Sequence, residues 1–137
     1  LQATHQTNDD ELSEFKPVLL STVPVRRAEN WDTILNAMNK VVHGPTGTAR
    51  TIGYNLQYTA AGKTGTSQVY GLKEGEKYDA TKISKHLRDH ALFIAFAPFE
   101  DPRLAVALIV ENAGGGGANA APVARKVMDA YFLEKPE

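Results

Sequence analysis

The chain has 137 residues, enough for one ordinary domain or a large piece of one. Its composition is globular, with 42% hydrophobic and 23% charged residues, and a formal net charge of −1 offers no basic field to nucleic acid or an anionic membrane. Cysteine is absent, which excludes disulfides and thiolate metal sites, and no run approaches the roughly 18 apolar residues of a membrane span.

Residues 1–17 are polar and acidic, with Asp9, Asp10, Glu11 and Glu14 close together, and read as a solvated loop. Leu1 to Asp10 is polar and has no signal-peptide pattern, so if the parent protein has an anchor or export signal, it is expected outside this chain. Pro17 to Val25 is apolar and carries two prolines, which suits an extended edge segment. Ala28 to Val42 is predicted to be a helix. Trp31, Ile34, Leu35, Met38, Val41 and Val42 fall at helical spacing, Asn30 or Asp32 is the expected cap, and Gly44-Pro45 is the stop. Gly44 to Thr51 then reads as a turn-rich loop.

Asn55 to Tyr70 is rich in threonine and tyrosine and predicts a strand. Gly71 to Arg88 is a long polar connection. His90 to Ala97 and Leu104 to Glu111 predict two strands of a hairpin, joined by a tight turn over Phe99 to Arg103. Asn112 to Gly117 reads as a glycine loop, and Asn119 to Leu133 as a closing helix with Pro122 in its first turn. Val123, Val127, Ala130 and Tyr131 give that helix an apolar face. The expected fold class is α+β: three antiparallel strands with flanking helices. Such a sheet is as readily part of a larger one as a complete domain.

The sharpest local feature is Gly62-Lys63-Thr64-Gly65-Thr66 inside the predicted strand. A phosphate loop needs a glycine at position 57, where Gln57 stands, and a helix after the lysine, where a strand is predicted. The better match is the Lys-Thr-Gly element of penicillin-binding proteins and serine β-lactamases. A lysine ammonium attracts a substrate carboxylate, and threonine hydroxyls orient it. Thr64 and Thr66 are two apart and share one face of a strand, while Gly65 points to the other and leaves room behind. A free backbone N–H on this strand can also meet a developing oxyanion. The triplet alone is common by chance, and an exposed structural lysine is the plain alternative.

Context supplies the specificity. Gly47-Thr48-Ala49, the lysine motif, Asp89-His90-Ala91 leading to Phe96-Ala97-Pro98, Glu111-Asn112 before a glycine loop, and Ala120-Ala121-Pro122-Val123-Ala124 follow one another in order. Together they resemble the C-terminal half of class B penicillin-binding protein transpeptidase domains, over residues 28 to 132. The link with Gln68-Val69-Tyr70-Gly71-Leu72-Lys73 and Leu87-Arg88-Asp89-His90 is most similar to the penicillin-binding protein 2 subfamily. The resemblance implies that residues 1–137 are the C-terminal portion of a single transpeptidase domain, with 1–27 a loop and edge segment. It implies substrate binding by Lys63, Thr64, Gly65 and Thr66, with Lys63 beside the catalytic serines and the Thr66 backbone N–H an oxyanion donor.

The same resemblance implies a D,D-transpeptidase that joins peptidoglycan stem peptides during cell elongation and is trapped by β-lactams. It implies no cofactor and no metal. Implied partners are the stem peptide, β-lactams, the upstream half of the domain, a glycan-polymerising shape protein and elongation scaffolds, with no nucleic acid. The implied location is the periplasmic face of the bacterial inner membrane. Rival readings are a septal transpeptidase, a D,D-carboxypeptidase or β-lactamase half-site, and a non-catalytic interaction module.

One departure is plain. The family's nucleophile lies in Ser-x-x-Lys and a second element in Ser-x-Asn, yet no Ser-x-Asn occurs here. Ser13-Glu14-Phe15-Lys16 fits Ser-x-x-Lys formally, but Pro17 follows directly in a polar, acidic stretch. The true motif opens a buried helix that places its lysine one turn from the serine. The chain alone is therefore expected to be inactive. His86 and His90 are four apart, but no third ligand accompanies them and His90 opens a strand, so no metal site is expected. Glycines 114–117 precede a helix but lack dinucleotide-site spacing, and read as a loop.

Overall fold

The computed structural model describes residues 3–4, 13–14, 18–71, 75, 78–79 and 81–133. Two short strands come first, β1 (Ala3–Thr4) and β2 (Ser13–Glu14), paired antiparallel where only a loop was expected. Residues 18–25 follow without regular structure, and Val18, Leu19, Leu20 and Val23 are exposed.

Helix α1 spans Ala28–His43, one residue beyond its predicted end. The expected caps are not caps. Arg27 is the N-cap and makes no side-chain capping bond, while Asn30 and Asp32 sit inside the helix. Asn30 instead donates its backbone N–H to Arg27 O at 3.1 Å. The apolar stripe is buried only toward its C-terminal end: Val42 is enclosed, whereas Trp31 and Ile34 remain half exposed. Gly44 ends the helix by donating its N–H to Lys40 O at 2.9 Å.

The predicted loop after α1 holds a short helix, α2 (Arg50–Gly53), because Ala49 and Ile52 are apolar and turn into the core. Strand β3 covers Ala61–Ser67, much less than the predicted 55–70. Its ladder with β4 (His90–Ala97) ends at Ser67 opposite His90, so residues 68–70 have no facing strand, and Asn55 adopts a left-handed turn at φ 54°. β4 also pairs antiparallel with β5 (Leu104–Val110), giving the sheet order β3-β4-β5. A 3-10 turn at Lys85–Leu87 interrupts the polar connection. The glycine loop is shorter than expected, since Gly116 and Gly117 already belong to α3 (Gly116–Asn119), and α4 is Ala121–Leu133.

The α+β class with three antiparallel strands and flanking helices holds. Ala91, Phe93, Ala95 and Ala97 alternate onto the buried face of β4 and meet Ala120, Ala121, Ala124 and Met128. Val42, Ala49 and Ile52 close the same core. Small residues let helix and sheet approach closely, with Phe93 as the large filler. The absence of a side chain at Gly62 makes this fit: a Cβ there would lie 2.6 Å from Phe93 Cζ. The other sheet face carries Leu92, Ile94 and Phe96, with Ile94 and Ile109 exposed.

Side chains fasten the approach to β3. Arg125 grips Asp129 through Nε at 2.7 and 2.6 Å and donates through Nη1 to Ile52 O at 2.6 Å. Tyr58 donates its hydroxyl to Asp129 at 2.8 Å. Burial, and next that hydrogen bond, push the Tyr58 phenol above its ordinary pKa. Helix α4 is thus tied to both ends of the segment between α2 and β3.

Candidate functional site

Lys63, Thr64, Gly65 and Thr66 fall together in β3, with Lys63 and Thr66 exposed and Thr64 half buried. The register places Thr64 opposite Phe93 and Thr66 opposite Ala91, so the two threonines share a face. Gly65 lies opposite Leu92 on the other face, where a Cβ would meet Leu92 Cβ at 3.2 Å. The space expected behind Gly65 is therefore taken by Leu92.

Among the described residues, β3 has a strand on one side only. Its other edge is free, and the backbone groups there can be assigned. At Ala60, just before the strand, the N–H donates to His43 Nε2 at 3.2 Å and the carbonyl accepts from Asn39 Nδ2 at 3.3 Å, so both point toward α1. At Gly65, the backbone N and O sit beside Leu92 O, all within 3.0 Å of where a Cβ on Gly116 would be, so this residue points toward β4. Alternation along an antiparallel strand then turns the amides of Gly62, Thr64 and Thr66 to the free edge. The Thr64 carbonyl fits this, because it accepts a hydrogen bond from Lys63 Nζ at 2.6 Å.

The edge opens beside a cavity of about 370 Å³ between α1, the 44–48 turn and Lys63. Lys40 and Lys63 both line it, and among the described residues its lining includes no aspartate or glutamate. Thr48 Oγ1 lies 2.9 Å from Thr64 Oγ1 and joins the turn to the strand. From the far side α3 presses in: a Cβ on Gly117 would come within 2.1 Å of Thr48 O. Two lysines beside a cavity, two linked hydroxyls and the amides turned to the free edge thus lie along the same stretch of β3, groups that suit a carboxylate and a second, partial negative charge.

The sequence reading did not single out Thr48, which entered only within Gly47-Thr48-Ala49, nor the Arg125–Asp129–Tyr58 cluster. The spacing of Arg125 and Asp129 announces a helical ion pair, but nothing local announces Tyr58 or the Ile52 carbonyl. Ser13 lies in β2, while Lys16 lies outside the described residues. His86 sits in the 3-10 turn and His90 begins β4. Asn112, at φ 54°, donates its side-chain amide to His86 O and Arg88 O, and its backbone N–H to His90 Nδ1 at 2.9 Å. His90 is thereby engaged in holding the turn. Zinc titrated into the folded chain by calorimetry is expected to give no stoichiometric binding. Tight binding abolished by His90→Ala would contradict that.

Against known proteins, a family model for the penicillin-binding protein transpeptidase domain matches residues 6–129. The chain belongs to that family. Peptidoglycan D,D-transpeptidase MrdA of Haemophilus influenzae is 44% identical over 119 residues, 87% of this chain and 18% of the relative. MrdA of Escherichia coli K12 is 43% identical over 103 residues, 75% of this chain and 16% of the relative. Among solved structures, Pseudomonas aeruginosa PBP2 in complex with WCK 5153 superposes with a TM-score of 0.67 at 42% identity, over 82% of this chain and 21% of that one. PBP2 of Helicobacter pylori in complex with MreC gives a TM-score of 0.60 at 27% identity, over 77% of this chain and 18% of that one. Within the family the likeness is therefore to PBP2, a class B penicillin-binding protein. The chain spans 16–21% of the length of these relatives.

Proposed function

We propose that this chain is the C-terminal portion of a peptidoglycan D,D-transpeptidase domain and forms the Lys-Thr-Gly wall of its active site. The observation that carries the reading is the edge of β3 that no described strand covers, where Lys63 lines a cavity together with Lys40 and Thr48, next to Thr64 and Thr66 on the same strand. The upstream half of the domain supplies Ser-x-x-Lys and Ser-x-Asn. There a serine oxygen attacks the carbonyl carbon of the penultimate D-alanine of a stem peptide. The carbonyl oxygen becomes an oxyanion, the C–N bond breaks, and D-alanine leaves with the proton given up by the serine. An amine of a neighbouring stem peptide then attacks the ester and restores the serine. β-Lactams enter the first step and stop at the acyl-enzyme.

The residues of this chain bind and stabilise in that sequence. Lys63 attracts the terminal carboxylate, and the Thr64 and Thr66 hydroxyls donate to it. The Thr66 N–H is one of the donors to the oxyanion, where a fixed amide stabilises charge that develops only in the transition state. No metal or cofactor takes part.

Similarity to MrdA and PBP2 favours the elongation role, at the periplasmic face of the inner membrane. Among the described residues no helix is long and apolar enough to cross a membrane, so the proposed anchor is outside them. One neighbour's complex with MreC suggests a shape protein as partner, and another comes from a peptidoglycan synthase complex that couples polymerisation to crosslinking. A fluorescent penicillin tests the reading. A complete domain carrying this sequence is expected to take the label covalently and to release D-alanine from a stem peptide as the acyl group transfers to an amine. The 137-residue chain alone is expected to remain unlabelled. Label on Ser13, or a complete domain that never acylates, would overturn it.

A further inference from the structure

We propose that Thr48 is a positioning residue that sets the Thr64 hydroxyl for the incoming carboxylate. This rests on the reading of β3 as the carboxylate-binding wall. Thr48 lies 16 residues before Thr64, outside the motif, yet the two Oγ1 atoms are 2.9 Å apart. A hydroxyl has a single proton to donate and two lone pairs to accept with. If Thr64 donates to Thr48, its proton is spent and it meets an anion with lone pairs only. If Thr48 donates to Thr64, the Thr64 proton is free for the carboxylate, and the chain of two bonds polarises both. An arriving anion selects the second arrangement, in which Thr48 is the outer donor.

Thr48 is held from two sides. Next to it, Ala49 is fully buried and donates its N–H to Val41 O at 3.0 Å, fixing the turn on α1. On the other side α3 is packed so closely that only a glycine at 117 fits against Thr48 O. The backbone that carries Thr48 is therefore held by α1 and α3 together.

The test uses a complete domain and measures second-order acylation constants for Thr48→Val, Thr48→Ser, Thr64→Val and the Thr48→Val/Thr64→Val pair. Each is measured with a penicillin and with its methyl ester, beside the melting temperature. Thr48→Val is expected to slow acylation by the penicillin about three- to tenfold, the value of one neutral hydrogen bond. The ester should be unaffected, Thr48→Ser should restore the rate, and the double variant should be no slower than Thr64→Val alone. An unchanged Thr48→Val beside a slowed Thr64→Val would overturn the positioning role only. A Thr64→Val without effect would overturn the carboxylate wall beneath it. Equal losses for acid and ester, with a lowered melting temperature, would show Thr48 to be packing alone.

Discussion

Lys63→Ala in a complete transpeptidase domain is expected to slow acylation by β-lactams about ten- to a hundredfold and to leave the melting temperature nearly unchanged. The first half follows from the charge. A hydrogen bond that involves an ionised partner contributes on the order of 1.5–3 kcal/mol, which is one to two powers of ten in rate if the transition state uses it fully. The second half follows from the position. Lys63 is exposed, and among the described residues its ammonium donates to the neighbouring Thr64 carbonyl alone, at 2.6 Å, a contact that an anion in the cavity would replace. A surface substitution of that kind changes stability by about 0.5 kcal/mol or less. Thr66→Val sharpens the test, because it removes a hydroxyl but keeps the backbone N–H at the free edge. Its loss should be smaller than that of Lys63→Ala, since the oxyanion donor survives. Unchanged acylation in Lys63→Ala would sink the reading of β3 as a carboxylate wall and leave an exposed strand lysine in its place.

The residues that were legible in advance are those whose role is local. Two short apolar runs, His90 to Ala97 and Leu104 to Glu111, with a tight turn between them, announced β4 and β5 to within one residue. The motif was legible as a pattern of charge, hydroxyl and glycine. What stayed hidden was set by distant partners. β3 stops at Ser67 because β4 begins opposite it at His90, a limit that composition over residues 55–70 does not carry. The cap of α1 falls at Arg27 although Asn30 and Asp32 are better capping residues, since the chain enters the helix three to five residues earlier than those side chains would choose. α2 and α3 lie in stretches rich in glycine and threonine, where propensity argues for loops, yet Ile52 and Gly116 are drawn in by packing on the core and on β3 and β4. Thr48 belongs to the same class. Its meaning comes from the 2.9 Å to Thr64, which spacing along the chain does not disclose.

Phe93→Ala is expected to give the largest loss of stability and to act on the fold rather than on the chemistry. The ring is fully buried, in a cluster whose enclosed residues are mostly alanines, Ala91, Ala95 and Ala124 among them, with Met128 as the other large side chain. Alanines have no length with which to refill a vacated aromatic space, so the cavity should persist. Removing a buried phenylalanine costs about 3–5 kcal/mol when the site cannot collapse, a large share of the ~5–15 kcal/mol that separates folded from unfolded domains. Gly62 makes the cost local to the site, because the ring packs where a side chain on Gly62 would otherwise stand, one residue before Lys63. Gly116→Ala disturbs the same region through α3. Its new methyl would lie 2.2 Å from Leu92 O and 2.4 Å from Gly65 O, both backbone atoms that can yield only if α3 lifts from the sheet. Overpacking of this kind costs about 1–3 kcal/mol, so Gly116→Ala should fall between Lys63→Ala and Phe93→Ala in stability. Urea denaturation of the complete domain, with acylation measured on the folded fraction, separates these effects. A loss under about 1 kcal/mol for Phe93→Ala would mean that the β4 face is not the core that holds β3 in place.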